Sequence, residues 1–504
     1  MSSQRRVGVV LGYANILAKN LVNLVYTPML LSFVGQAEYG VYQTANSFVF
    51  SLSLLTFGFS QAYVRFYTRM RAEGSETAIR RLNGMYLLLY AVVCILALVL
   101  GFYAASNASL IFSGGFTGEQ VALAGALMAA MTVNVACTLF STVFDAYILA
   151  HEEFRFQQSR QLLTTLATPL VAFALLLAGM GAVGVALAQL AVSACLLVFN
   201  ARFAIGCLGM RFDVRHPDGA LFRALAAFSA WIFANQVCDL VNQNIPNVLL
   251  GALADATAVS VFAVSVQIRS VFYSLSTTMS NVFTPQINRI VAESNDNAVL
   301  TDLMTRVGRY QMVLFCWVYC GFVLLGEFFI AAWAGPGFAE AYPLICLMVL
   351  PLVVPLTQNT GIEVQRAKNM HRARSVAMLA MAVVNVLVTL VATPQIGSWA
   401  PAIGYVLSIV LGNGLFMNWY YQRRVGLDMG MFWRRNLPVA LTSAVVLAAC
   451  IFVRESLPVV GWGSFLVWGV AYTTLFAASM WVVVLTPAER ASAVARLPFF
   501  PRRS

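Results

Sequence analysis

Three basic residues, Lys19, Arg65 and Arg269, lie inside long apolar stretches of this 504-residue chain, and so does the carboxylate of Asp239. An ionisable side chain at the centre of a bilayer costs roughly 2.5–3.5 kcal/mol on insertion scales, so it must face protein, water or a ligand. Lys19 has Asn15, Asn20 and Asn23 within one helical turn, which draws a polar stripe along that helix. Arg269 keeps company with Gln267 and Tyr273, about a dozen residues from its helix end. Arg65 sits near the end of its stretch, where a long side chain can snorkel to the interface. Asp239 is ringed by amides, Asn242 among them, and precedes Pro246. Cations so placed suit an anionic ligand, and arginine can grip a diphosphate through two parallel hydrogen bonds. Lys19 could instead pair with a buried acid such as Asp239. Asp239 could bind a coupling cation, balance a cavity base or stabilise an unwound turn. Asp145 and Glu363, beside arginines at helix ends, read as structural, and Glu327 reads as interfacial.

The elements that must position these groups are helices. The chain is 10% charged and 60% hydrophobic, with a mean hydropathy of +0.79, where a soluble domain would be about a quarter charged. Fourteen apolar stretches can be marked, starting at 8–34 and 41–68, passing through 222–250 and 257–287, and ending at 436–453 and 463–486. A helix needs roughly 20 apolar residues to cross the hydrocarbon core. The runs are continuously apolar, which excludes a β-barrel. Of the 31 Lys and Arg residues, 27 fall at the N-terminus, in every second gap and in the C-terminal tail, and one, Arg454, falls in the intervening gaps. That bias orients the chain with both termini cytoplasmic. The basic loops therefore read as topology determinants and contacts to anionic membrane lipids. Nucleic acid is not expected as a partner.

A weak internal repeat appears at an offset of 218. It pairs Pro28 with Pro246, Asp145 with Glu363, and the glycine turn at 179–184 with that at 397–404. The expected architecture is all-α and polytopic, with about 14 transmembrane helices: two six-helix lobes in parallel repeat plus two extra C-terminal helices. The divisions are 1–210, 211–424 and 425–504, the last comprising two peripheral helices and a basic cytoplasmic tail. No Walker, HExxH or GxSxG motif occurs. Nine scattered cysteines and three distant histidines suggest neither a disulfide framework nor a metal site, and no cofactor is expected.

The segment Pro28–Tyr42, with its Gly35 and Glu38-Tyr39-Gly40-Val41-Tyr42, resembles the helix 1–2 junction of bacterial polysaccharide transporters. Those form a branch of the multidrug/oligosaccharidyl-lipid/polysaccharide exporter superfamily. Gly58-Phe59-Ser60-Gln61-Ala62 leading to Arg65, and Thr284-Pro285-Gln286-Ile287, add to the resemblance. It implies a V-shaped bundle and a Wzx-type flippase, not an enzyme, in the bacterial inner membrane. Such a protein moves undecaprenyl-diphosphate-linked oligosaccharide, an O-antigen or exopolysaccharide repeat unit, by alternating access of a central cavity. A polysaccharide polymerase and chain-length machinery would be partners. Lys19, Arg269, Arg65, Asn23 and Asn242 are then the candidate substrate contacts, and Asp239 the candidate coupling or counter-charge residue.

Two alternatives are cation-coupled export of small molecules, which would favour acidic cavity residues, and flipping of a lipid-linked peptidoglycan precursor. The second would lead one to expect a denser basic cluster across the first two helices. A membrane-embedded glycosyltransferase would need a long loop bearing catalytic acids, and no outer gap is long enough.

Overall fold

The computed structural model describes residues 3–56, 59–215, 219–281, 283–368, 370, 372–485 and 490. The side chains of some helical residues, those of Asp239 and Asn242 among them, lie outside the described residues. By packing, the chain falls into two units: residues 1–263 with 386–401, and residues 264–385 with 402–504.

The first unit holds α1 (Ser3–Phe50), α2 (Phe59–Ala72), α3 (Glu76–Ser106), α4 (Ala108–Phe112), α5 (Gly118–Ala150), α6 (Phe154–Leu177), α7 (Gly181–Arg202), α8 (Gly219–Gln243) and α9 (Ile245–Leu253). The helix α10 (Ala256–Asn281) begins in it and continues into the second. The second unit holds α11 (Thr284–Glu293), α12 (Asn297–Trp333), α13 (Ala341–Val349), α14 (Val353–Thr357) and α15 (Asn359–Ala367). Most of α16 (Arg372–Ile396) and α17 (Trp399–Ser408) follows, then α18 (Asn418–Tyr420), α19 (Met429–Ser456) and α20 (Trp462–Ser479). Among the described residues eleven helical segments are long and apolar enough to cross a membrane, and no strand occurs. The protein is an all-α polytopic membrane protein.

Several boundaries differ from those expected. The first two apolar stretches are not separated by a loop. The range Ser3–Phe50 is broken by a kink at Gly35, between the two stretches, where a non-helical φ of 76° is one a glycine adopts without strain. The expected second span, 41–68, tightens to a 3-10 helix at Ser51–Thr56, before α2. The stretch at 222–250 breaks at Asn244, so Pro246 opens α9, where its missing N–H costs nothing, while its repeat partner Pro28 stays inside α1. Thr284–Ile287, expected to close a span, opens α11.

The Glu-Tyr-Gly segment of α1 is a packing device. Glu38 Oε1 accepts the Ala182 N–H at 2.6 Å, satisfying an orphan donor in the first turn of α7 and placing a carboxylate at that helix's positive end. Tyr39 accepts from Gln43 at 2.6 Å, and Tyr42 accepts from Gln189 of α7 at 2.8 Å. A Cβ on Gly40 would lie 1.8 Å from the Ala256 carbonyl oxygen. One and two turns on, Thr44 sits against Gly251, and Ser47 accepts a 2.9 Å hydrogen bond from the buried Asn247 amide. Small residues thus let α1 and the α9–α10 corner approach closely, as transmembrane helices require when lipid supplies no hydrophobic drive between them. Asn15, which the sequence groups with the Lys19 stripe, instead donates to Gln158 Oε1 at 2.8 Å and to its carbonyl at 2.9 Å, latching α1 to α6.

The acids at helix ends are paired. Asp145 binds Arg160 at 2.7 Å and Glu363 binds Arg366 at 2.6 Å. Glu327 pairs with Arg454 at 3.1 Å, which gives the one basic residue of the expected outer loops a local partner.

Replacing Gly40 by alanine forces α1 away from α10. We expect Gly40→Ala to lose about 1–3 kcal/mol of stability, read as a lower unfolding temperature of the purified protein in detergent. Glu38→Ala should lose about 1 kcal/mol. A Gly40→Ala protein as stable as the parent would show that this contact is dispensable.

Candidate functional site

Arg269 is the sequence-predicted cation that the structure places most clearly. It lies in the second-unit part of α10 and is 5% exposed. Its guanidinium carbon sits 3.9 Å from the centroid of the Tyr405 ring on α17, and Nη1 is 3.8 Å from the Met348 sulfur on α13. The Tyr405 hydroxyl donates to Tyr273, one turn beyond Arg269 on α10, at 3.3 Å. Each wall has a reason to be where it is. Ser265 donates to the Ala341 carbonyl at 3.4 Å and fastens α10 to α13. Gly404 lets α17 lie against α16, since a Cβ there would fall 2.5 Å from the Asn385 side-chain oxygen. Ser408 donates to the Met381 carbonyl at 2.7 Å across the same contact.

Among the described residues no carboxylate is paired with Arg269. A cation over an aromatic face gains up to about 2 kcal/mol when desolvated. The insertion cost of a central arginine is at least roughly 2.5–3.5 kcal/mol. The ring therefore offsets only part of that cost and leaves a charge suited to an anion.

The other predicted residues lie elsewhere. Lys19 and Asn23 are exposed and one turn apart on α1, so the structure puts them on one face. Arg65 is exposed on α2. All three belong to the first unit and Arg269 to the second. Asp239 and Asn242 fall on α8, their side chains outside the described residues. Sequence reading missed Tyr405 and Met348. They stand 136 and 79 residues from Arg269, and neither type is unusual in an apolar helix. Only the pairing of Gly404 with Tyr405 hinted that α17 presents a ring at a close approach.

The family and fold follow from comparison. The model of the family described as "Polysaccharide biosynthesis protein" matches residues 8–291, more than half of the chain. The chain belongs to this family. This agrees with the resemblance that the Glu-Tyr-Gly segment carries. It is similar to the membrane protein EpsK of Bacillus subtilis strain 168, with 21% identity over 92% of each chain. Among solved structures, the fold is similar to that of the lipid II flippase MurJ in an inward closed conformation. That match has a TM-score of 0.75 at 13% identity and covers 94% of this chain and 99% of the other. An inward-facing multidrug resistance MATE family transporter of the MOP superfamily matches with a TM-score of 0.64 at 14% identity, covering 80% and 94% of the two chains. These likenesses are ones of fold.

If the ring holds the guanidinium, the two side chains are energetically coupled. A thermal-unfolding double-mutant cycle over Arg269→Met and Tyr405→Leu should give a coupling of about 1 kcal/mol, with Tyr405→Phe close to the parent. Strict additivity would remove the stacking from the account.

Proposed function

We propose that the protein carries a lipid-linked oligosaccharide bearing a diphosphate from the inner to the outer leaflet of the bacterial inner membrane, by alternating access of a cationic path. The observation that carries this reading is Arg269, a buried arginine without a carboxylate among the described residues, held on a tyrosine ring in an apolar helix. Membership of a polysaccharide biosynthesis family supports a sugar cargo. The MurJ likeness supports a fold able to move a lipid-linked substrate.

A diphosphate cannot cross hydrocarbon unaided, because desolvating its charges is prohibitive. Fixed cations replace part of its hydration. Arg269 can take two phosphate oxygens at once, and Lys19 offers a mobile point charge. Asn23 and Asn242 supply neutral hydrogen-bond partners for phosphate or sugar, and Arg65 engages the anion near the membrane surface. Asp239 serves as counter-charge or coupling site. Arg269 is closed off in this conformation, so the working cycle must open its side of the path. In this proposal the lobes 1–210 and 211–424 carry the path and helices of 425–504 flank it, with the termini cytoplasmic. Polymerase and chain-length proteins would act on the product.

A second reading, transport of the peptidoglycan precursor itself, shares the diphosphate chemistry and is favoured by the MurJ-like fold. Proteoliposomes containing fluorescent undecaprenyl-diphosphate oligosaccharide separate the two. We expect the protein to accelerate leaflet exchange of this lipid over that of the peptidoglycan precursor. Lys19→Ala and Arg269→Ala should each slow exchange about tenfold, the scale of one charge-assisted hydrogen bond. In cells, the same variants should insert at normal level and reduce surface polysaccharide. Full polysaccharide in the double variant would overturn the role of the cations, and faster exchange of the peptidoglycan precursor would select the second reading.

A further inference from the structure

A cavity of about 670 Å³ opens within the first unit, apart from Arg269. It is lined by Tyr67 and Arg71 of α2, Arg80 of α3, Tyr147 of α5, His151 after α5, and Arg211 of the segment that follows α7. Charge distribution assigns these loops to one side of the membrane, the cytoplasmic one.

The wall is built. Asn83 of α3, 1% exposed, accepts from the Tyr63 hydroxyl at 2.6 Å and donates to the Arg211 carbonyl at 2.9 Å. The Asp213 N–H donates to the Arg80 carbonyl at 2.9 Å. Gly84 leaves room for this strap, since a Cβ there would lie 2.0 Å from the Asp213 carbonyl oxygen. Residues 208–214 are thereby fixed against α3, and Arg211 is delivered to the cavity. Behind the wall, Tyr63, Tyr86 and Tyr90 are fully buried and anchor the core.

The charge at the wall is unbalanced. Arg80 is paired with Glu76 at 3.3 Å, and Asp213 lies 3.9 Å from Arg81. Among the described residues no carboxylate is paired with Arg71 or Arg211. We propose that this cavity is a second anion site, which holds a phosphate or diphosphate group between Arg71, Arg211 and the Tyr67 hydroxyl. The volume suits such a group, small-molecule sites being roughly 300–1,000 Å³. The source is either a lipid headgroup entering from the inner leaflet or a soluble phosphate compound.

His151 links the site to pH. Its Nδ1 lies 2.9 Å from the Tyr147 carbonyl, which can only accept, so Nδ1 carries the proton. In the neutral ring, Nε2 then accepts from the Tyr67 hydroxyl at 2.9 Å. Burial lowers the His151 pKa below the usual histidine value. The Tyr147 hydrogen bond opposes that, Arg71 lowers it further, and Glu153 raises it. When Nε2 gains a proton, the Tyr67 oxygen must accept, and its own hydrogen is released to donate elsewhere. With Arg80, Glu76 and Arg211 completing the charged wall, an anion in the cavity favours that protonated state. Binding should therefore tighten as pH falls.

The test uses the full chain. Calorimetry with inorganic pyrophosphate in detergent reads the soluble arm. Thermal shift in phosphatidylcholine nanodiscs, with and without phosphatidic acid, reads the lipid arm. Arg71→Gln and Arg211→Gln each remove one exposed charge and should weaken binding about tenfold. The double variant should bind neither probe. Arg155→Gln removes an exposed charge outside the cavity and should bind as the parent does. Pyrophosphate binding without a phosphatidic acid response supports the site and assigns it a soluble ligand, and the converse assigns it a lipid. Binding should be several-fold tighter at about pH 6 than at pH 8, and that difference should vanish in His151→Gln. Parent-like binding in the double variant, or equal losses in Arg155→Gln, would overturn the proposal. These outcomes are independent of Arg269→Ala, so the transport reading and this site can fail separately.

Discussion

The first unit depends on how closely α1 can approach its neighbours. Between helices in lipid there is no water to expel, so association rests on contact between small residues and on the few polar groups that can be satisfied across the gap. Gly40, Thr44 and Ser47 present such a face to Ala256, Gly251 and Asn247. Glu38 and Tyr42 tie the same stretch of α1 to α7. The local motif Glu-Tyr-Gly therefore names three contacts made by successive residues: a helix cap, a buried ring and a backbone approach.

A second constraint governs the polar residues that remain. In an apolar medium each must be paired, stacked or solvated. Most of those at helix ends meet this locally, as Arg160 does with Asp145 and Arg454 with Glu327. Arg269 meets it by stacking on Tyr405, an interaction weaker than the cost of its burial. Among the described residues no carboxylate is paired with Arg269. On the proposed function, such a cation keeps affinity for an anionic cargo that a carboxylate partner would remove.

The basic loops divide in the same way. Some of their arginines pair along one helix turn, as Arg69 does with Glu73 and Arg306 with Asp302. Arg71 and Arg211 instead line an open cavity whose wall is tied by Asn83. Orientation in the membrane requires only that such charges be present on one side. Their arrangement around a cavity is an additional property, imposed by the strap that packs on Gly84.

The all-α membrane fold was legible in the sequence, because the cost of exposing a backbone to hydrocarbon allows few alternatives to long apolar helices. The segment around Glu38 was enough to indicate the family. The isolation of Arg269 in an apolar run was visible too, since hydropathy is a local quantity. Tertiary structure decided what each polar group does. It made Asn15 a latch to Gln158, broke the helix at Asn244, and brought Tyr405 under Arg269 from 136 residues away. It also gathered Arg71, His151 and Arg211 around one cavity. Hydropathy and charge act along the chain and can be read from it. Pairing, stacking and enclosure depend on which helices meet, and distant residues settle that together.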